Sequence, residues 1–231
     1  MTADRDNALA SLYPFLYGAR KDESKENAAL LYSVGEKAAH SIATKQTFFE
    51  ANKGRIVATA RAIAEVYRRQ GRMFAMGNGG SSCDAAHFAV EFMHPVTAGR
   101  PALPAVNLTA DVAMMSAVGN DVGFAHVFVR QLISLARRED GLIGFSTSGS
   151  SANLIAAFAK ARELGMTTIG VAGMSGGEMA REGLLDHCLV VETDSIHRIQ
   201  ETHVTLYHIL WDLVHTMLAD DRGPLKAGAQ S

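Results

Sequence analysis

Cysteine is scarce in this chain of 231 residues. Only Cys83 and Cys188 occur, and they lie far apart and form no Cys-x-x-Cys pair. Two isolated thiols exclude the disulfide framework of a small secreted scaffold and are typical of a protein from a reducing compartment. We therefore expect both cysteines to be buried side chains.

An excess of charge and a long apolar run are also absent. The 22 basic and 24 acidic residues leave a formal net charge of −2, so no basic excess points to nucleic acid. No uninterrupted apolar stretch approaches the roughly 20 residues of a membrane span. The amino terminus MTADRDNALA lacks the cationic and apolar regions of a secretory signal. We predict a cytoplasmic globular protein with neither membrane nor nucleic acid as a partner.

The beginning of the chain has helical periodicity. The segments KDESKENAALLYSVGEKAAHSIA and NKGRIVATARAIAEVYRRQ each place apolar residues on one face, which predicts two helices, the second ending at Gly71. The apolar face of each predicted helix contains few residues, as expected for helices that pack on a neighbour. The predicted domains are an N-terminal helical extension (1–50), a main domain (51–222) and a short tail (223–231).

From Arg72 onward, short apolar segments alternate with amphipathic ones. The predicted strands are 72–76, 104–108, 141–145, 168–171 and 188–191. The predicted helices are 84–92, 124–137, 151–164, 177–183 and 195–218. This alternation predicts an α/β fold, a doubly wound five-stranded parallel sheet flanked by helices. Ligands of such sheets bind beyond the carboxyl ends of the strands.

Two predicted strand-to-helix junctions are rich in glycine and hydroxyl side chains. They are GNGGSS at 77–82 and STSGSS at 146–151. Close backbone N–H groups, hydroxyls and a helix amino terminus together suit a phosphate. Alternatively, these residues only form tight turns and helix caps. We expect Asp84 to cap the helix that begins at the GNGGSS junction. Neither junction matches the nucleotide patterns GxxxxGK[ST] or GxGxxG.

Two histidines, a glutamate and a glutamine have spacings that suit a metal site or an acid–base pair. His87 and Glu91 are four residues apart, hence on one helix face. Gln200 and His208 are about two turns plus 80° apart on the last helix, so both can face the same cleft, though less squarely than a pair four residues apart. A zinc site is one interpretation, although glutamine is an unusual ligand. An acid–base pair of Glu91 and His208 is another, and packing histidines are a third. Periodicity leaves all three open.

Four segments in order, GNGGSSCDAAHFAVEF, SAVGNDVGF, STSGSSAN and RIQETHVTLYHILWDLV, resemble the sugar isomerase (SIS) domain family, and within it the phosphoheptose isomerase group. The likeness runs from about Gly71 to the last helix. It implies a flavodoxin-like fold with extra N-terminal helices. It also implies an aldose–ketose isomerase of a phosphorylated sugar, most specifically sedoheptulose 7-phosphate converted to D-glycero-D-manno-heptose 7-phosphate through an enediol.

The resemblance also implies roles for individual residues. Glu91 and His208 would be the catalytic acid–base pair. A Zn²⁺ ion would be held by His87, Glu91, Gln200 and His208. The implied substrate-binding residues are Asn78, Gly79, Ser81, Asp121, Ser146, Thr147, Ser148, Ser151 and Gln200. The expected assembly is a homotetramer with active sites at subunit interfaces.

Two positions depart from the family pattern. His94-Pro95 stands where a Gly-Arg pair is usual, and His197 stands where an aspartate is common. An arginine fork suits an anionic substrate, so its loss favours the alternative of an isomerase of another phosphosugar. A second alternative is a non-catalytic phosphosugar-binding or adaptor protein, like the DnaA-binding relatives. Those relatives lack the histidines and glutamate that are present here.

Overall fold

The computed structural model describes residues 23–220, and the predicted tail at 223–231 lies outside them. The chain divides into two compact units, with the division between His40 and Ser41. The predicted domain boundaries at residues 50 and 222 stay predictions.

The first helix, α1, is continuous from Glu23 to Arg68, so the prediction of two separate helices was wrong. The sequence between these residues contains no proline. An internal glycine such as Gly54 costs only about 1 kcal/mol relative to alanine. That cost is small beside the burial of Phe48 and Ile56 on the same helix. Gln70, with a φ of 63°, follows the end of the helix.

The sheet has the predicted five parallel strands. They are β1 (Met73–Gly77), β2 (Ala105–Asn107), β3 (Gly141–Ser146), β4 (Thr167–Gly173) and β5 (His187–Val191). Their order is β2-β1-β3-β4-β5, and every neighbouring pair is parallel. β1 and β3 are buried along their whole length, as expected for strands covered on both faces. The α/β prediction is confirmed.

The remaining helices follow the strands. They are α2 (Gly80–Met93), α3 (Val112–Asp121), α4 (Val129–Leu135), α5 (Ala152–Glu163) and α6 (Ile196–Asp220). The helix predicted at 124–137 is instead a 3₁₀ turn, Phe124–His126, followed by α4. The helix predicted at 177–183 is the 3₁₀ turn Gly177–Ala180. The sequence pattern did not predict α3, which Asp111 caps by accepting a 2.8 Å hydrogen bond from the Met114 N–H.

Apolar clusters cover both faces of the sheet. One cluster joins the sheet to α2, α6 and the part of α1 after residue 41, through residues such as Ile63, Phe88 and Leu210. The other joins the opposite face to α3, α4 and α5, through residues such as Phe74 and Phe158. The helices α2 and α6 therefore pack on the same face of the sheet, which brings their side chains together.

The prediction of two buried thiols was wrong for Cys83, which is exposed, and Cys188 is half-buried. Cys83 lies on α2 away from the buried face that carries Asp84, Ala85 and Phe88. Within residues 23–220, no helix combines the length and the apolar character needed to cross a membrane.

Candidate active site

The two glycine- and serine-rich loops lie side by side. β1 and β3 are neighbours, and Gly77 at the end of β1 is in register with Phe145 near the end of β3. From β1 the sheet extends to β2 on one side and to β3 on the other. This reversal of strand order opens a crevice at the carboxyl ends of the strands, where ligands of such sheets bind.

A pair of amides joins the two loops. The side chains of Asn78 and Asn153 exchange two hydrogen bonds, each 2.9 Å long. Asn153 is almost fully buried in the first turn of α5. The sequence pattern did not single out Asn153, although an asparagine directly after the serine loop is the available signal. The pairing fixes Asn78 at the mouth of the crevice.

The amino terminus of α2 has no side-chain cap. Gly79 occupies the capping position with a φ of 53°, which glycine tolerates best. Asp84 does not cap this helix, contrary to the prediction, because it is the fifth helical residue and lies past the free N–H groups of the first turn. Its carboxylate is buried, and its Oδ2 atom has no hydrogen-bond partner within residues 23–220. Ser81 is buried in the same turn.

The second loop offers hydroxyl groups at the start of α5. The Ser146 hydroxyl accepts a 3.0 Å hydrogen bond from the Gly149 N–H and lies 3.4 Å from the Ser151 hydroxyl. Thr147 is half-buried and Ser148 is exposed. Ser151 stands at the capping position of α5 and makes no capping bond through its side chain. Such an uncapped terminus lined by hydroxyls suits an anion.

The helices α2 and α6 run alongside each other in the same direction. The Tyr207 hydroxyl contacts His87, and the Trp211 indole donates a 2.8 Å hydrogen bond to the backbone carbonyl of Glu91. Both pairs are 120 residues apart in sequence. A regular pairing of this kind holds the polar residues of the two helices face to face.

Gln200 on α6 lies beside Gly80 at the beginning of α2, and these two residues are again 120 positions apart. A Cβ atom added to Gly80 would lie 2.3 Å from the Gln200 Nε2 atom, so the amide rests directly on the glycine backbone. Gly80 precedes His87 by about 10 Å along the helix axis. The structure thus places Gln200 beside the first loop.

Three of the four predicted metal ligands converge. The His87 Nε2 atom lies 3.1 Å from the Glu91 Oε1 atom, and the His208 Nε2 atom lies 4.0 Å from it. One ligand atom from each residue can be chosen so that all three lie within 4.8 Å of one another. The His208 side chain is 44% exposed and that of Glu91 is 20% exposed, so the cluster is open on one side.

Tyr207 is a site residue that the sequence pattern did not predict. Its hydroxyl lies 2.6 Å from the Nδ1 atom of His87, and the residue is almost fully buried. Burial, together with the negative charges of Asp84 and Glu91, raises the pKa of Tyr207 well above its usual range. Burial also raises the pKa of Asp84 to about 6, while His87 lowers it. The Tyr207 hydroxyl therefore keeps its proton at neutral pH.

Asp121, the two positions that depart from the family pattern and the nearby Arg100 take no part in this cluster. Asp121 is exposed at the end of α3, where its carboxylate accepts a hydrogen bond from the Asn120 amide. His94 and His197 are exposed as well. Arg100 stacks on Trp211, with its guanidinium carbon 4.4 Å from the ring centre, and also pairs with Asp212. The positive charge of Arg100 is thus paired with residues of α6.

Comparisons with known proteins find similarity over most of the chain. Residues 38–173 match the SIS domain family. A phosphoheptose isomerase from a Roseiflexus species is 41% identical over 181 residues, which cover 78% of this chain and 91% of the relative. The phosphoheptose isomerase of Campylobacter jejuni is 43% identical over 162 residues, covering 70% and 86% respectively.

Two solved structures share the fold and the sequence likeness. The phosphoheptose isomerase of Neisseria gonorrhoeae has a TM-score of 0.75 and 37% identity, covering 81% of this chain and 99% of that one. The enzyme of Francisella tularensis has a TM-score of 0.76 and 34% identity, covering 80% and 98%.

Proposed function

The chain belongs to the SIS-domain family of phosphosugar isomerases, and we propose that it interconverts sedoheptulose 7-phosphate and D-glycero-D-manno-heptose 7-phosphate. The observation that carries this proposal is the cluster of His87, Glu91 and His208 beside two loops suited to a phosphorylated sugar. A non-catalytic adaptor has no need for such a cluster, so the predicted adaptor alternative is not favoured.

The phosphate group of the sugar binds at the serine-rich loop. Ser146, Thr147, Ser148 and Ser151 supply hydroxyls, and the amino terminus of α5 supplies a favourable dipole. Arg100 is engaged with Asp212 and Trp211, so it does not replace the arginine that is missing at His94-Pro95. Within one chain, hydroxyl and backbone donors are thus the proposed phosphate contacts.

The rest of the sugar lies along the crevice toward α2. Asn78, held by Asn153, together with Gly79 and Ser81, faces the sugar hydroxyls in this arrangement. Gln200 rests on Gly80 next to the same loop, which favours the predicted role of a sugar contact over that of a metal ligand. The reacting end of the chain then approaches Glu91.

Proton transfer between C1 and C2 is the chemical step. Glu91 removes the proton from C1 of the ketose and returns it to C2, and an enediol forms between the two events. His208 moves the proton between the two oxygen atoms as the carbonyl shifts from C2 to C1. The backbone carbonyl of Glu91 is anchored by Trp211, which fixes the helix turn that carries the base.

As an alternative to direct acid–base action by Glu91 and His208, the same cluster fits a zinc ion. Two imidazole nitrogens and one carboxylate oxygen, with an open position for substrate, are the ligands of many catalytic zinc sites. His87, Glu91 and His208 would hold the ion. A bound Zn²⁺ would polarise the sugar carbonyl and stabilise the negative charge of the enediol.

A homotetramer is part of the proposal. In the first unit, Leu30, Leu31 and Val34 lie on α1 with 60% or more of their surface exposed. Apolar residues grouped in this way mark surfaces that pack on other chains. Asp121 is exposed at the end of α3, and in the proposed tetramer it would act in the active site of a neighbouring subunit. Light scattering of the purified protein measures the assembly directly.

The function is tested by proton NMR of the purified protein with sedoheptulose 7-phosphate in D₂O, with and without Zn²⁺. We expect the aldoheptose phosphate to form with deuterium at C2. Conversion that requires zinc supports the metal site. Bound sugar phosphate with neither conversion nor exchange would contradict the proposed reaction and would point to another phosphosugar or to a sensor.

A further inference from the structure

Both ring nitrogens of His87 have partners, and this fixes where the ring carries its proton. Nε2 lies 3.1 Å from the Glu91 carboxylate and Nδ1 lies 2.6 Å from the Tyr207 hydroxyl. An ionised carboxylate only accepts hydrogen bonds, so Nε2 must donate. In a neutral ring Nδ1 then accepts, which makes the Tyr207 hydroxyl the donor.

We propose that Tyr207 is a positioning residue that sets the tautomer of His87, donating to Nδ1 in the metal-free protein and accepting from Nδ1 when Nε2 binds a metal. The inference rests on the proposed metal site. A ligating Nε2 atom carries no proton, so the ring proton must then be on Nδ1. One proton leaves Nε2 and one joins Nδ1, and the ring stays neutral.

A tyrosine hydroxyl suits this exchange because it both donates and accepts. When the oxygen accepts from Nδ1, the hydroxyl proton turns to another acceptor. Asp84 is the candidate acceptor, because it lies three residues before His87 on α2 and belongs to the buried face of that helix. Its buried Oδ2 atom has no hydrogen-bond partner in the part of the chain that the structure describes. This gives a role to a carboxylate that the reaction itself does not use.

Packing keeps the hydroxyl at this point. The Tyr207 ring lies between aromatic neighbours, with centroid distances of 5.2 Å to His87, 5.9 Å to Phe145 and 4.9 Å to His208. A phenylalanine at this position preserves the ring contacts and removes only the hydroxyl. The substitution Tyr207→Phe therefore separates the hydrogen bond from the packing.

Tyr67→Phe is a matched control. Tyr67 is also buried, its ring stacks on Phe92 at 5.7 Å, and its hydroxyl has no hydrogen-bond partner among the described residues. It lies on α1, and within residues 23–220 no hydrogen bond or ring contact joins it to His87, Glu91 or His208. Both variants lose one buried hydroxyl, but only Tyr207→Phe changes the surroundings of His87.

The test uses two measurements on the full chain. Long-range ¹H–¹⁵N spectra of the metal-free protein report the tautomer of His87, whose signals are those lost in His87→Gln. Competition with a chromophoric chelator reports the affinity for Zn²⁺. We expect the wild type to carry its proton on Nε2. Tyr207→Phe should shift the His87 ring nitrogens and weaken zinc binding about 10- to 100-fold, the usual effect of removing such a partner.

The opposite results would overturn the inference. If Tyr207→Phe leaves both the His87 spectrum and the zinc affinity as in Tyr67→Phe, the hydroxyl has no positioning role. If the wild type binds no zinc, the metal part of the proposed function fails. The His87 spectrum then decides the question alone, because an unchanged ring signal in Tyr207→Phe still contradicts the role of the hydroxyl.

Discussion

The side-chain amides of Asn78 and Asn153 face each other and exchange two hydrogen bonds of 2.9 Å. One amide belongs to the loop after β1 and the other to the first turn of α5. The two loops proposed to hold the sugar and its phosphate are thus joined through side chains as well as through the sheet. Their spacing is set before a substrate arrives, which lowers the cost of ordering them on binding.

Removing one partner of this pair should harm both stability and binding. Asn153→Ala leaves the Asn78 amide without its partner, and we expect a loss of about 1–3 kcal/mol in the free energy of unfolding. The affinity for sedoheptulose 7-phosphate should fall as well, because Asn78 is no longer held. Chemical denaturation and calorimetric titration measure the two effects.

A double-mutant cycle isolates the contribution of the pair. Asn78→Ala, Asn153→Ala and the double variant should show a coupling energy within the range of roughly 0.5–3 kcal/mol seen for residues in contact. Strictly additive effects would mean that the two hydrogen bonds do not contribute to joining the loops.

Ser148→Ala tests the phosphate-binding loop. Ser148 is exposed, and among the described residues its hydroxyl only accepts a 3.3 Å hydrogen bond from the Ser150 N–H, so its loss should change the fold little. Substrate binding should weaken by about 1 kcal/mol for a neutral hydrogen bond and up to about 3 for one to a charged phosphate. Ser116→Ala, an exposed serine on α3, is the control. Equal affinities in the two variants would move the phosphate elsewhere.

Gly80→Ala tests the position of Gln200. The added methyl group would meet the end of the flexible Gln200 side chain and displace it. Gly80 does not have the left-handed φ that favours glycine, so its backbone accepts alanine and stability should change little. We expect a higher KM for the sugar phosphate and an unchanged zinc affinity. A loss of zinc binding instead would make Gln200 a metal ligand.

His203 should make the folded protein sensitive to acid. It is fully buried on α6, and burial lowers the pKa of its ring to about 4, against a partial offset by a 3.3 Å hydrogen bond to the Ala172 carbonyl. Above pH 6.5 the ring is neutral in both the folded and the unfolded state. As pH falls from 6.5 to 4, only the unfolded state takes up the proton, so stability is lost.

The expected loss from this residue is roughly 3 kcal/mol, from a pKa difference between 6.5 and about 4. Denaturation of the wild type and of His203→Gln at pH 8 and at pH 4.5 measures it. The variant should lose less stability over this interval than the wild type. The same acid-induced loss in both proteins would show that His203 is not the group responsible.

The strands could be predicted because each buried strand is a short run of apolar residues in the sequence. Each observed strand begins and ends within a few residues of its prediction. Helix α3 was not predicted, although the Asp111 cap before an apolar stretch is a usable signal. The predicted break between the two N-terminal helices was wrong because the intervening segment TKQTFFEA (44–51) contains neither glycine nor proline, so nothing in it interrupts the helix.

The candidate site could be predicted only in part. His87 and Glu91 share a helix face, so their pairing follows from spacing. The approach of His208 depends on how α2 and α6 pack, which no local pattern contains. Tyr207 was missed for the same reason: adjacent residues on a helix point about 100° apart, yet the structure brings both it and His208 to His87.

The most direct test of the account is the exchange of the C1 protons of sedoheptulose 7-phosphate in D₂O by wild type and Glu91→Gln. Trp211 binds the backbone carbonyl of Glu91 and not its side chain, so this contact is kept in the variant. The variant should therefore fold and bind the sugar phosphate. Glu50→Gln, at an exposed position, is the matched control. We predict that exchange in Glu91→Gln falls by at least about 100-fold, as for the loss of a general base. Exchange at the wild-type rate with normal binding would contradict the assignment of Glu91 as the base.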